Sequence, residues 1–202
     1  MMQADYIEQT SSKKLPVIFG EKVVLVPFLD LFDLDDFIRL HQQDRRGYMC
    51  RFCLKDLNQY DAETYVNDLI ESSNLYIWNV ILKGVENTRV GFIYLSDMTE
   101  HSVSISGIMD TVQLKKLTKE QRRYYKTMTD DATLALIKTC FENGIERIEG
   151  DALEEDKEAL KLHKRLGFVK EGLLRKAVNI DGQLKNLVVV SLLKEEFKNG
   201  ER

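Results

Sequence analysis

Apolar residues recur along the chain with two different periods, and the switches between them mark out its elements. Lys22 to Phe28 is short and rich in β-branched residues, a predicted first strand ending at Pro27. Leu34, Phe37, Ile38 and His41 then repeat at helical spacing, and Asp30 stands where it can cap that helix. A second helix is predicted from Asp61, with Tyr65, Leu69, Val66 and Ile70 as the residues turned inward. Leu75 to Leu82, Val90 to Leu95 and Ser102 to Met109 read as three strands of an antiparallel meander, the first two joined by a turn at Gly84 to Asn87. Thr111 to Arg123 shows neither period and reads as a connection rich in Lys, Gln and Arg. Helical spacing returns with Ala132, Leu134, Ala135, Ile137, Cys140 and Phe141. It stops at Asn143-Gly144, residue types that accept the left-handed conformation a helix end needs.

The last third is the most legible. Ile145, Ile148 and Ala152 mark a short strand, predicted from its length and flanks because the alternation is poor. Ala159, Leu162, His163 and Leu166 fall at i, i+3, i+4 and i+7, one face of a helix closed by Gly167. Phe168 to Ile180 and Leu184 to Leu193 read as two strands joined at Asp181-Gly182, a strong hairpin signal. This order, with Leu-His-Lys-Arg-Leu-Gly-Phe-Val-Lys-Glu-Gly from Leu162 to Gly172 at its centre, resembles the GNAT superfamily of acyl-CoA-dependent N-acyltransferases. It is most similar to the branch of ribosomal-protein N-terminal acetyltransferases, in which L-Y-x-K-x-G-F-x-x-E-G recurs before a final hairpin. The similarity is good from about Phe141 to Leu193 and looser from Phe19 to Asp110.

The resemblance implies an α/β (α+β) fold with a mixed, mostly antiparallel central sheet of about seven strands flanked by helices. It places one domain over residues 17–202, with an insert around 111–125. Residues 1–16 are polar and read as a flexible arm. The first two helices would wall an acceptor cleft. The segment between them, Asp44 to Tyr60, would set substrate choice, and its Arg45-Arg46-Gly47 is suited to an anionic group.

Composition narrows the classes without choosing one. Hydrophobic content of 44% and charged content of 31% describe an ordinary globular protein with enough chain for a substantial core. A net charge of -4 gives no general reason to expect nucleic-acid or membrane partners, and no apolar run is long enough to span a bilayer. The N-terminus lacks the apolar stretch of a signal peptide, and three cysteines do not suggest a disulfide framework, so a cytoplasmic protein is expected. Cys50-Arg-Phe-Cys53, even with His41, falls short of a metal-binding set, and no metal is expected.

An acyl-CoA enzyme needs a cradle for the pyrophosphate, supplied by free N–H groups at a helix N-terminus and by glycines that let the backbone approach. The family's form, Q/R-x-x-G-x-G/A, falls on Tyr124 to Thr129 and makes Lys126, Thr127, Met128 and Thr129 the candidate cofactor contacts. Thr127 and Thr129 stand where glycines are expected, and no glycine lies between Gly107 and Gly144. Read without the family, Thr129 is a helix N-cap, with Asp130 and Asp131 complementing the dipole where they would compete with a pyrophosphate. Asp156 takes the place of the family's cofactor-contacting Asn and reads equally as a capping carboxylate.

His163 takes the place of the Tyr that is often the family's general acid, and an imidazolium there would protonate the departing thiolate. The family's basic Glu is missing from the preceding strand, which carries Ser102, Ser104 and Ser106. Glu100, Asp97 and Asp110 at its ends are the nearest carboxylates, and Glu100 and Asp110 are the candidate bases. Asn186 sits where the final strand often carries Asp. Tyr124-Tyr125 is suited to stacking on an adenine or to anchoring the long connection.

Two functions follow. The first is transfer of an acetyl or other acyl group from acetyl-CoA (or another acyl-CoA) to a primary amine, on a small molecule or a protein N-terminus, with a homodimer open. The second is a GNAT-fold protein that has lost catalysis and binds a ligand or a protein.

Overall fold

The computed structural model describes residues 15–28, 31–43, 57–72, 75–85, 88–180 and 182–197. Asp30, Arg45-Arg46-Gly47, Cys50, Cys53, Asn87, Asp181 and nearly all of the N-terminal arm lie outside them.

Eight strands form one sheet: β1 (Ile18–Phe19), β2 (Val23–Pro27), β3 (Leu75–Leu82), β4 (Arg89–Ser96), β5 (Ser102–Met109), β6 (Arg147–Leu153), β7 (Val169–Ile180) and β8 (Gln183–Leu193). Their order across the sheet is β1-β2-β3-β4-β5-β6-β8-β7. The mixed, mostly antiparallel α/β architecture is the expected one. The strand beyond the expected seven is the two-residue β1, which pairs Ile18 with Leu25 and Phe19 with Val24.

Helices cover both faces. On one face α1 (Leu31–Gln43) and α2 (Gln59–Glu71) bury Leu34, Phe37, Ile38, Ala62 and Val66 against Ile77, Phe92 and Tyr94. On the other, α5 (Met128–Glu142) buries Ala132, Leu136, Ile137 and Phe141 against Trp78, Val80, Ile93 and Leu95. Strands β3 and β4 are thus buried on both sides, which is why they read as nearly continuous apolar runs. Each fully buried Leu, Ile or Phe contributes about 1.5–3 kcal/mol through removal from water.

The connection after β5 is more ordered than its composition suggests. It holds two short helices, α3 (Thr111–Lys116) and α4 (Lys119–Tyr124). Asp110 caps the first by accepting from the N–H groups of Val112 (2.9 Å) and Gln113 (3.1 Å). Thr118 and Gln121 form a reciprocal capping box on the second.

A 3-10 turn, Tyr125–Thr127, carries the chain straight from α4 into α5. The start of α5 therefore differs from the expectation. Thr127, not Thr129, is the capping position, and its side chain makes no capping bond. The chain enters α5 directly from the 3-10 turn, in which the N–H of Met128 donates to the carbonyl of Tyr125. Tyr125 is buried with its hydroxyl on the carbonyl of Lys83, so it anchors the connection, while Tyr124 is exposed beneath the ammonium of Lys22.

Asp131 turns away from the mouth of the helix. Its carboxylate accepts from the backbone N–H groups of Glu21 (2.7 Å), Lys22 (2.7 Å) and Val23 (3.1 Å), fastening the β1–β2 turn to α5. The last helix, α6 (Lys157–Leu166), ends at Gly167 in the left-handed region, φ 94°, as its sequence predicts. No helix among the described residues is long and apolar enough to cross a membrane.

Candidate active site

Strands β5 and β6 are the one parallel pair among the described residues, and they pair only at their starts. Ser102 to Ser104 lie beside Arg147 to Glu149, and there the ladder ends. Beyond it β5 runs on to Met109 along β4, and β6 runs on to Leu153 along β8. The two strands diverge, and each leaves a length of backbone edge unpaired with the other: Ile105–Met109 on one side, Gly150–Leu153 on the other. A cleft of about 520 Å³ opens at this wedge, between the start of α5, the body of α6 and the C-terminal end of β5.

Of the residues singled out in the sequence, His163, Asp110, Asp156, Lys126 and Thr129 line this cleft. Thr127 does not, because its hydroxyl accepts from the ammonium of Lys22 at 2.9 Å on the side of the β1–β2 turn. Met128 is a core residue. Glu100 lies at the opposite end of β5, almost fully exposed beside His101, so the structure does not bring it to the cleft.

Asp110 is buried and its oxygens are occupied. Oδ1 caps α3, and Oδ2 lies 3.4 Å from Nη2 of Arg39 on α1. Asp156 caps α6, accepting from the N–H of Ala159 at 3.0 Å, as the capping reading predicts.

His163 projects from α6 against β6. Its Nε2 would lie 3.2 Å from a Cβ on Gly150, so glycine is what lets the ring approach the strand. Nδ1 is shielded from solvent without a hydrogen-bond partner. Burial pushes the pKa of His163 down to about 4, against a smaller upward pull from the carboxylate of Asp156. The ring is neutral at neutral pH, which counts against the imidazolium expected from the sequence.

Sequence reasoning missed three features. Asp151, on β6, lines the cleft. Arg165 does too, held by a bidentate pair with Asp130 at 2.8 and 2.9 Å that ties α6 to the first turn of α5. A network of Asp33, Asp36, Arg39, Asn79 and Arg89 fixes α1 to the sheet beside Asp110. Of these, only Asp33-x-x-Asp36 with Arg39 had a local signal, from its helical spacing. His41, considered as a metal ligand, is buried, with Nδ1 2.8 Å from the carbonyl of Phe37 and Nε2 3.3 Å from the hydroxyl of Tyr94. Cys140 is a core residue whose thiol pKa burial pushes up to about 12.

No protein-family model matches the sequence, and no curated protein matches it. Solved structures do match over most of the chain. A GNAT-family acetyltransferase from Bacillus anthracis is 20% identical, covering 90% of this chain and 100% of its own, with a TM-score of 0.63. A variant of the spermidine N-acetyltransferase from Vibrio cholerae is 17% identical, with coverage of 90% and 99% and a TM-score of 0.67. The ribosomal-protein-S5-alanine acetyltransferase from Vibrio fischeri is 16% identical, with coverage of 91% and 100% and a TM-score of 0.65. The chain has the GNAT fold. Within that fold the departure at the start of α5 stands out, because the glycine-bearing loop of the motif is here a 3-10 turn continuous with the helix.

The residues present fit acyl-CoA in one part and depart from the family's pattern in another. The edges of the wedge, which do not pair with each other, suit an extended arm carrying amide groups, which would lie between them as a short added strand. At the phosphate end the N–H of Met128 is already donated, and the cations in the lining are the side chains of Lys126 and Arg165.

Proposed function

We propose that this cleft transfers an acyl group from acyl-CoA, acetyl-CoA in the simplest case, to a primary amine by direct attack. The observation that carries the reading is the divergence of β5 and β6 after Ser104 and Glu149, which opens a wedge between two backbone edges that do not pair with each other. Acyl-CoA would supply the activated acyl group, and the amine would take it as the thiolate leaves. The wedge edges hold and orient the arm. His163, kept neutral by burial, offers a ring N–H to stabilise charge on the departing sulfur instead of an imidazolium proton. Asp151 replaces Glu100 as the carboxylate placed in the cleft to take the amine's proton, directly or through a water. Asp110 positions α3 and α1.

Two of the neighbours are named for unlike acceptors, a polyamine and a protein alanine, and both classes remain acceptors for this reading. The test is thiol release from acetyl-CoA with a panel holding spermidine and alanine-ended peptides. Wild type should turn over at least one, Ser106→Phe, which fills the wedge, should abolish it, and Asp151→Asn should lower it roughly 100-fold or more. Acyl-CoA binding without turnover on any amine would instead favour a binding module.

A further inference from the structure

The chain carries a net charge of -4, yet residues 111–126 hold six cations, Lys115, Lys116, Lys119, Arg122, Arg123 and Lys126, against the single acid Glu120. This net of +5 is confined to α3, α4 and the 3-10 turn. Lys119, Arg122, Arg123 and Lys126 follow one another at steps of three, one and three, so they lie along one side of α4 and its continuation. All four are exposed. Arg122 serves the backbone, donating to the carbonyls of Lys115 (3.2 Å) and Leu117 (2.7 Å), which would otherwise end α3 without partners. Lys119, Arg123 and Lys126 meet no carboxylate among the described residues.

The place of this stripe gives it meaning. Both ends of the connection line the cleft, Thr111 and Val112 at one end and Lys126 at the other. The cleft itself is lined by Asp110, Asp130, Asp151, Asp156 and Glu158, and Arg165, its other cation, is matched by Asp130. Of the lining cations, Lys126 is therefore the one that meets no carboxylate among the described residues, and it continues the α4 stripe immediately before the helix start at which the backbone N–H of Met128 is already engaged.

We propose that the stripe Lys119–Arg123–Lys126 is the phosphate-binding surface of this site, holding the nucleotide end of the cosubstrate by side-chain charge in place of a backbone cradle. The proposal rests on the acyl-CoA reading for the identity of its ligand and goes beyond it in naming the residues and the mode of binding. A basic rim beside an acidic cleft also sorts the two substrates. Phosphates are drawn to the rim, and a cationic amine is drawn inward. Side-chain charge at an exposed rim is screened by salt over about 10 Å at 0.1 M, so this mode predicts an affinity that falls steeply with ionic strength.

The test compares the full chain with the triple variant Lys119→Gln/Arg123→Gln/Lys126→Gln. Gln matches Lys and Arg in helix propensity, and no ion pair among the described residues is lost. Affinities are measured by calorimetry for CoA, adenosine 3′,5′-bisphosphate, inorganic phosphate and acetyl-pantetheine, which lacks phosphate. The expected result is a loss of roughly tenfold or more for CoA and the bisphosphate at low salt, with acetyl-pantetheine unchanged. Weak inorganic phosphate binding that the variant also loses supports the same surface without a nucleoside. Unchanged CoA affinity in the variant would overturn the stripe and leave the acyl-CoA reading standing. Bisphosphate binding without acetyl-pantetheine binding would support the stripe and remove the acyl-CoA reading. If no phosphate compound binds wild type, the stripe is not a cosubstrate surface.

Discussion

Acidification isolates the environment of His163. In the unfolded chain this residue takes up its proton near the ordinary pKa of 6.5, whereas in the folded chain it does so only at about 4. Between those values the unfolded state binds more protons, so lowering the pH through this window costs stability. Above the window the contribution no longer changes. A gap of about two and a half units at about 1.4 kcal/mol each gives an upper bound of about 3.5 kcal/mol. Other groups titrate in the same range, so the informative quantity is the difference between wild type and His163→Gln, which carries no titrating ring. Urea unfolding at pH 7.5, 6, 5 and 4.5 should show wild type losing more stability than the variant, by about 2–3 kcal/mol at the lowest pH. The ring resonances of His163 should stay those of neutral imidazole down to pH 5. Equal pH dependence in the two proteins would refute the reasoning, because it would mean that the ring reaches solvent or a proton acceptor.

Three further perturbations read other parts of the structure. Asp131→Ala strips the carboxylate from three backbone N–H groups of the β1–β2 turn and should cost about 2 kcal/mol, seen as a drop of about 4–8 °C in Tm. An unchanged Tm would mean that the turn holds without this tie. Asp130→Asn removes a negative charge from the cleft together with its bidentate pair to Arg165, so CoA affinity by calorimetry should rise several-fold, while stability changes by less than about 1 kcal/mol. Weaker CoA binding would show that the bridge shapes the site rather than competing with phosphate. Gly150→Ala sets a methyl 3.2 Å from Nε2 of His163 and should cost about 1–2 kcal/mol while shifting the ring resonances of that residue. Unshifted resonances would place the ring elsewhere.

The parts legible in the sequence were those with local causes. The stop at Asn143-Gly144, the face of Ala159, Leu162, His163 and Leu166, and the closing Gly167 each rest on neighbours within two turns, and α5, α6 and the final hairpin emerge accordingly. The two short helices after β5 also had local signals, Asp110 as a cap and Thr118-x-x-Gln121 as a capping box, but their polar surface gives no apolar period. What was not legible depends on distant partners. Asp131 bonds a turn 108 to 110 positions away, and Asp130 pairs with Arg165 across 35. A carboxylate at the start of a helix looks the same in sequence whether it faces an incoming anion or another part of the chain. His163 was placed on the right face, yet its charge state follows from packing against β6, which no spacing reveals.

The measurement that bears most directly on the wedge as an acyl-CoA site is a thermal-shift titration of the full chain with acetyl-CoA and free CoA, repeated on Ser106→Phe. Ligand at 100 times its dissociation constant stabilises a fold by about 2.7 kcal/mol. The account predicts a dose-dependent rise in Tm of about 5–10 °C for wild type and none for the variant with the filled wedge. No shift at millimolar ligand in a folded wild-type sample, or equal shifts in both proteins, would contradict it.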